Sequence, residues 1–252
     1  SALPAFWASS GGDLETAIGA GRINEWDRLP LEFQSFRLPD WTFRSLATNL
    51  AFVQADLGEL ELPPAQVIRC MNVFVYFDPE TRNQMLMQAG KLLADEGILI
   101  VGTNGIASES RITVYRKRED GLFPDEFVFS LDNLGPFSLM PWFSIHEDDP
   151  DAKMLADLSR TLRADPSFWP DFSRRLDELL QEFELCERGP DGFLHFPDGF
   201  TLSAEFFASS NQLWQQMGKG DFAKGATEAL ERAGYHAWKN AIGDVAVRPP
   251  TD

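Results

Sequence analysis

The chain of 252 residues is poor in the groups that build disulfide scaffolds and zinc sites, with only two cysteines and three histidines. Cys70 and Cys186 lie far apart in sequence, which indicates neither a disulfide framework nor a zinc-binding motif. Basic residues are also few, since 22 lysines and arginines face 39 aspartates and glutamates and the net charge is −17. This balance argues against nucleic acid and anionic lipid as partners, because both are bound mainly by basic residues.

Long apolar runs are missing as well. No segment approaches the ~20 apolar residues that a membrane span requires, and the N-terminus lacks a signal-peptide pattern. We therefore expect a cytoplasmic protein with no membrane partner. The first residue is Ser1 rather than methionine, which is typical of a processed or truncated product. With 44% hydrophobic and 12% aromatic residues, the chain has enough apolar side chains for an ordinary folded core.

The clearest local pattern is a strand, a helix and a second strand. Residues 66–75 form an apolar run typical of a buried strand. An N-cap aspartate, Asp78, and a proline after it predict a helix that runs to about Leu93. A turn at 95–97 then leads into the apolar strand 98–102. Two strands joined through a helix predict a parallel β-α-β unit.

The remaining pattern is mixed, with a helical section between about 150 and 220 that interrupts an otherwise α/β sequence. We predict strands at 111–116 and 126–131, helices at 151–163 and 170–183, a helix that begins at Ser203, a helix at 222–233, and a final strand or hairpin at 236–247.

Polar residues interrupt the apolar strand predicted over 66–75 near its carboxyl end. Parallel α/β sheets bind ligands at this end of their strands. Residues 67–77 read VIRCMNVFVYF, and residues 92–99, which follow the helix, read LLADEGIL. On these residues the chain resembles the CheR-type methyltransferases, and the pattern C-x-N-V-x-x-Y-F is the most specific part. Segments at 17–23, 29–30 and 52–57 are similar in order and spacing, so the resemblance covers roughly residues 15–118.

The resemblance implies an α/β fold with a class I methyltransferase-like, Rossmann-like sheet and a helical insertion. It also implies S-adenosylmethionine as the cofactor and methyl transfer to a carboxylate or a similar oxygen. Carried over by position, Asp56 and Leu57 are expected beside the adenine, and Met71 and Asn72 beside the methionine or ribose part. Tyr76 is expected near the transferred methyl group as the catalytic residue.

The predicted organisation has three parts: a partial methyltransferase-like α/β core over 1–135, a helical and aromatic insertion or cap over 136–220, and a helix-strand unit over 221–252 that returns to the sheet. Six aromatic residues of the cap are expected to pack in a core between helices, with a hydrophobic substrate pocket as the alternative. They are Phe168, Trp169, Phe172, Phe206, Phe207 and Trp214.

Three departures from the family pattern leave alternatives open. Met71 stands where the family has an arginine, and Ala65-Gln66 where it often has an aspartate. No glycine-rich cofactor loop is visible, because the G-x-G at 19–21 follows no apolar strand. One alternative is that the chain is a C-terminal piece of a longer enzyme. The others are a catalytically silent binding or regulatory protein, and a half-enzyme completed by a second chain that supplies the missing N-terminal half.

The methyl acceptor is expected to be a small-molecule or protein carboxylate. The net charge and the aromatic cap favour a small, partly apolar acid over receptor glutamates.

Simpler interpretations exist for each site residue. Asn72 and Tyr76 fit a buried polar pair that satisfies hydrogen bonds at a strand end. Cys70 fits a packing residue better than a nucleophile, because it lies within an apolar strand. The acidic segment 146–151 fits a solvated loop that caps the next helix better than a metal site.

Overall fold

The computed structural model describes residues 62–104, 110–136, 149–190, 194–197, 199–201 and 203–249. The first half of this region holds strands β1 (Ala65–Met71), β2 (Leu93–Asn104), β3 (Ser110–Arg118) and β4 (Gly121–Phe129), and helix α1 (Pro79–Leu92). The second half holds helices α2 (Pro150–Ala164), α3 (Trp169–Glu182), α4 (Ala204–Met217) and α5 (Phe222–Arg232), and strands β5 (Glu187–Arg188), β6 (Leu194–His195), β7 (Ala237–Lys239) and β8 (Val245–Val247). Short 3-10 helices span Phe74–Tyr76 and Leu131–Leu134.

The predicted strand-helix-strand unit is confirmed, but the expected burial of its first strand is wrong. No residue of β1 is buried, and Val67 leaves 55% of its surface exposed. β1 pairs in parallel with β2, from Val67 opposite Ile98 to Met71 opposite Gly102, and α1 connects them. Asp78 caps α1, because its carboxylate accepts a hydrogen bond of 2.9 Å from the backbone N–H of Thr81. The cap and the proline at the start of the helix act where the sequence predicted them.

The main sheet is mixed, with the strand order β1-β2-β3-β4-β8-β7. Only the first pair is parallel, and each later neighbour pairs antiparallel. β5 and β6 form a separate small hairpin. The predicted α/β class is therefore confirmed for the described part of the chain, as six strands of one mixed sheet with five α-helices.

The described helices cover one face of this sheet. The register sets Leu99, Val101 and Thr103 of β2 opposite Tyr115, Thr113 and Arg111 of β3, and directly paired residues point to the same face. Leu99 and Val101 pack with Ala89 of α1 in a small core. Farther along the same face, Phe127 and Phe129 of β4 pack into a larger core with α2, α3, α4 and α5.

The larger core confirms the packing expected for part of the aromatic set. Phe168, Phe172 and Phe206 are buried in it, and Trp169, Phe207 and Trp214 are partly buried against it. The predicted helix ends are close to those observed: the Ser203 hydroxyl accepts a hydrogen bond from the N–H of Phe206, and Gly234, at φ +93°, follows α5.

Two predicted boundaries are wrong. β1 ends at Met71 rather than at Val75, because Asn72 takes a positive φ of 58° and the chain turns into the 3-10 helix. The predicted turn at 95–97 lies inside β2, where Glu96 has φ 58° and the pairing with β1 shifts register. Within the described ranges, no helix is long and apolar enough to span a membrane. The predicted three-part division of the chain stays a prediction.

Candidate functional site

The turn that follows β1 holds two of the predicted site residues at the carboxyl end of the parallel strand pair. Asn72 takes the left-handed conformation, which asparagine adopts more readily than most residues. Its backbone N–H donates to the Gly102 carbonyl at 2.8 Å, and its side-chain oxygen accepts a hydrogen bond of 2.7 Å from the Asn104 N–H. Asn72 therefore fixes the end of β1 against the end of β2.

The 3-10 helix orients the residues that follow. Phe74 and Val75 are buried, whereas Tyr76 leaves 73% of its surface exposed. The interpretation of Asn72 and Tyr76 as a buried polar pair is therefore wrong in its burial, although Asn72 does make a strand-end hydrogen bond. The Tyr76 ring is displayed to solvent at the edge where parallel sheets bind ligands.

The other predicted cofactor residues divide between two regions. Met71 is the last residue of β1 and pairs with Gly102, so it lies next to Asn72 at the same strand end. Asp56 and Leu57 lie outside the described residues. The structure thus brings Met71, Asn72 and Tyr76 to one strand end, and their predicted roles stay predictions.

A cavity of about 270 Å³ opens beside this turn, at the carboxyl ends of β1 and β2. Its walls come from the 3-10 helix, the first half of α1, the end of β2, β3 and the beginning of α2. The lining residues used below are Phe74, Arg82, Leu86, Val101, Tyr115 and Asp151. The cavity therefore has an apolar part and a charged part.

Arg82 of α1 connects three walls of the cavity. Its Nε donates to the Phe77 carbonyl at 2.7 Å, and Nη2 reaches the Val75 carbonyl at 3.5 Å. Its Nη1 donates to Oδ2 of Asp149 at 2.7 Å. One guanidinium thus holds the turn after β1 on helix α1 and binds both to the beginning of α2.

Asp149 caps α2 and lies at the centre of the charge network. Its Oδ1 accepts hydrogen bonds from the N–H groups of Asp151 and Ala152, while Arg111 of β3 lies 3.6 Å from Oδ2. Burial by itself raises the pKa of Asp149, but Arg111, the hydrogen bonds from Arg82 and Ala152 and the charge of Arg82 outweigh it and hold the pKa below its usual value. Asp149 is therefore an ionised carboxylate with 2% of its side chain exposed.

The pKa values of Asp151 and Tyr115 are raised, in contrast to the lowered pKa of Asp149. Burial raises the pKa of Asp151; Arg111 opposes this shift, and the neighbouring Asp149 adds to it. The Asp151 carboxyl accepts a hydrogen bond of 2.9 Å from Thr113. Burial, followed by the charges of Asp151 and Asp149, also raises the pKa of Tyr115, so the phenol stays protonated.

The expectation for the acidic segment 146–151 is half correct. Asp149 caps the next helix, but it is buried in an ion network rather than solvated. Residues 146–148 lie outside the described ranges. Among the residues that are described, no group of three or more His, Cys, Asp or Glu side chains could hold a metal ion.

Sequence reasoning missed the charged wall of the cavity. Arg82 falls within the helix predicted after Asp78, and Arg111, Thr113 and Tyr115 fall at alternate positions of the strand predicted over 111–116. The available signal was that alternation, because three polar or amphipathic residues at a period of two occupy one face of β3. Nothing local in the sequence indicates that this face is the covered one.

A second cavity, of about 500 Å³, lies between the α4–α5 connection and the β7–β8 hairpin. Asp244 lines it and accepts a hydrogen bond of 3.0 Å from the Ser110 hydroxyl. Lys239 also lines it and lies 3.3 Å from Asp221. Asp244 and Lys239 therefore each have a partner among the described residues.

No protein-family model, curated protein or solved structure matches this chain. The function is therefore argued from the site alone.

Proposed function

We propose that this chain is a class I, CheR-type methyltransferase that uses S-adenosylmethionine and methylates a carboxylate or other oxygen of a small or partly apolar acceptor. The observation that carries the proposal is the position of the C-x-N-V-x-x-Y-F residues. Asn72 and Tyr76 fall at the carboxyl end of a parallel strand pair joined through a helix, which is where α/β sheets bind ligands.

The side chains at this strand end suit the cofactor. The oxygen of Asn72 is engaged by the Asn104 N–H, so its amide NH₂ faces no acceptor within the described part of the chain. This NH₂ can donate to a ribose hydroxyl or to the carboxylate of the methionine part. The exposed face of Tyr76 can attract a sulfonium, since aromatic rings bind cations over their faces.

S-adenosylmethionine supplies an electrophilic methyl group on a sulfonium. The protein then has to align the acceptor oxygen with this methyl group and exclude water. A carboxylate acceptor needs no strong base, so Tyr76 would position the acceptor oxygen through its hydroxyl rather than remove a proton.

The proposed fold requires more strands than the described sheet contains. β1 lies at an edge of the described sheet, and its only described neighbour is β2. A class I sheet requires further parallel strands and a cofactor loop beyond this edge. A half-enzyme would receive them from a second chain, and a catalytically silent protein would lack a working cofactor site.

The test is calorimetric titration of the full chain with S-adenosylmethionine and S-adenosylhomocysteine, together with mass spectrometry of co-purified ligands. We expect saturable binding in the micromolar range, about −8 kcal/mol. Asn72→Asp retains the acceptor for the Asn104 N–H, but it replaces the donor NH₂ with a second oxygen and adds a negative charge. Both changes act against the carboxylate of the methionine part, so the substitution should weaken binding roughly tenfold. Tyr235→Phe serves as the control and should bind as the parent does, because Tyr235 packs against the larger core and does not line the cavity beside Asn72.

The outcomes separate the alternatives. Absence of binding to the full chain, alone and with its co-purified partners, contradicts the proposal. Binding that appears only with a partner chain supports the half-enzyme. Absence of binding both alone and with partners supports the silent protein, which would lack a working cofactor site.

A further inference from the structure

The cavity beside the turn after β1 has the size of a small-molecule site. At roughly 30 Å³ per water, about 270 Å³ corresponds to about nine waters, or a ligand of about ten non-hydrogen atoms. It lies at the carboxyl ends of β1 and β2, beside the turn that displays Tyr76. This is the region where an acceptor would have to bind in the proposed reaction.

One part of the cavity is apolar. Phe74 comes from the 3-10 helix, Leu86 from α1 and Val101 from β2, and all three belong to or pack against the small core. A ligand must therefore place an apolar body of modest size against these side chains.

The other part of the cavity contains hydrogen-bond donors that have no acceptor among the described residues. A guanidinium has five N–H groups, and Arg82 uses three of them on the carbonyls of Phe77 and Val75 and on Asp149. Two N–H groups therefore have no acceptor among the described residues. The Tyr115 hydroxyl likewise has no hydrogen-bond partner among those residues, and it lines the same cavity.

The acceptor atoms of this wall, in contrast, are largely occupied. Both oxygens of Asp149 are engaged, by two backbone N–H groups and by Arg82 and Arg111. Asp151 accepts from Thr113, and its raised pKa favours the protonated, neutral form. This wall can therefore donate hydrogen bonds to a ligand more readily than it can accept them. Such a wall suits a carboxylate better than an amine.

We infer that this cavity binds a small, partly apolar carboxylic acid, with its carboxylate on Arg82 and Tyr115 and its apolar body on Phe74, Leu86 and Val101. As the methyl acceptor, this acid rests on the proposed function; as a ligand, it does not. In the transfer step a carboxylate oxygen forms a bond to the methyl carbon while the bond from that carbon to sulfur breaks. The electron pair stays on sulfur, and the products are a methyl ester and a neutral thioether.

The probe for the binding step is phenylacetate, which has a carboxylate on an apolar body of the required size. We expect saturable binding to the full chain, with Kd below about 1 mM. Phenylacetamide has the same shape without the charge and should bind at least about tenfold more weakly, because hydrogen bonds to a charged group are the stronger ones.

Two variants locate the probe. Tyr115→Phe removes one hydroxyl and should weaken phenylacetate binding severalfold, while Tyr235→Phe should leave it unchanged. Arg82→Lys retains the charge and loses the planar set of donors, and it should weaken binding about tenfold provided that circular dichroism shows a folded chain. Equal affinity for phenylacetate and phenylacetamide, binding that Tyr115→Phe leaves intact, or no saturable binding would each overturn the inference.

Comparison of phenylacetate binding with S-adenosylmethionine binding separates this inference from the proposed function. Phenylacetate binding without any S-adenosylmethionine binding supports the acid site and contradicts methyl transfer. S-adenosylmethionine binding without phenylacetate binding overturns the acid site and leaves the proposed function in place. Formation of methyl phenylacetate, lost in Tyr115→Phe, would support both.

Discussion

The guanidinium of Arg82 lies 2.7 Å from the carboxylate of Asp149, so helix α1 is bound to the residue that caps helix α2. Both side chains are largely buried, with 13% of Arg82 and 2% of Asp149 exposed. Buried ion pairs add little stability over a well-packed apolar alternative, but removal of one partner leaves an uncompensated charge. This pair therefore matters mainly for the position of the elements that it joins.

Asp149→Asn should destabilise the protein strongly. Asparagine is a good N-cap, so the helix α2 cap is retained, while Arg82 and Arg111 lose the carboxylate between them. We expect a loss of about 3 kcal/mol in the free energy of unfolding. Denaturant unfolding followed by circular dichroism measures it.

The control for this prediction lies on the same helix. Asp157 pairs with Arg160 at the surface, where both side chains are exposed, so Asp157→Asn should change stability by less than about 0.5 kcal/mol. Equal effects of the two substitutions would show that the buried network contributes nothing specific.

Asp151→Asn should stabilise the protein at neutral pH. Burial raises the pKa of Asp151, so the folded chain holds this proton more tightly than the unfolded chain. The stabilisation from the proton is complete below the unfolded pKa of about 3.9 and is lost as the pH rises through the raised folded pKa. Asparagine stays neutral at every pH and can still accept the hydrogen bond from Thr113.

The measurement is the melting temperature of parent and variant between acid and neutral pH. The variant should melt higher at neutral pH, and the difference should shrink as the pH falls. A variant that is less stable at neutral pH would mean that the attraction between Asp151 and Arg111 outweighs the cost of burial.

The sequence predicted elements whose signals are local. Asp78 and the proline after it placed the beginning of α1, and Ser203 placed the beginning of α4, because a cap acts through the next three residues. The end of β1 was missed for a related reason. Phe74 and Val75 are buried through a 3-10 turn rather than a strand, and the sequence pattern is apolar in both cases.

The charged wall of the cavity could not be predicted in this way. Arg82 and Asp149 are separated by 67 positions and meet only because α1 and α2 cover the same face of the sheet. Arg111 joins them from β3, where the register sets it opposite Thr103 and 3.6 Å from Asp149. Sequence spacing carries no information on either relationship.

Both cysteines should react slowly in the folded protein. Burial raises the pKa of Cys70, and burial together with Asp177, opposed by Arg188, raises the pKa of Cys186 to about 11. At pH 8 roughly one Cys186 thiol in a thousand is then a thiolate, the reactive form. Labelling with a disulfide reagent should be much slower in the native chain than in denaturant, with Cys186 the slower of the two. Fast native labelling of Cys70 would instead indicate an activated nucleophile.

Two glycines near the same helix should respond to alanine with opposite signs. Gly225 lies inside α5, where a Cβ would meet Phe168 at an ordinary distance of 3.4 Å. Gly225→Ala should therefore stabilise the protein by about 0.5–1 kcal/mol, because alanine loses less backbone entropy in a helix. Gly234 follows the helix at φ +93°, where space is open but the conformation is unfavourable for a side chain.

Gly234→Ala should accordingly cost about 1–2 kcal/mol. The pair is compared in one series of thermal unfolding curves, since both substitutions add the same methyl group and change no charge. A destabilising Gly225→Ala would show that Phe168 cannot accommodate the methyl group. A neutral Gly234→Ala would show that the chain after α5 can end the helix without the left-handed residue, because only a backbone free to change its φ avoids the strain.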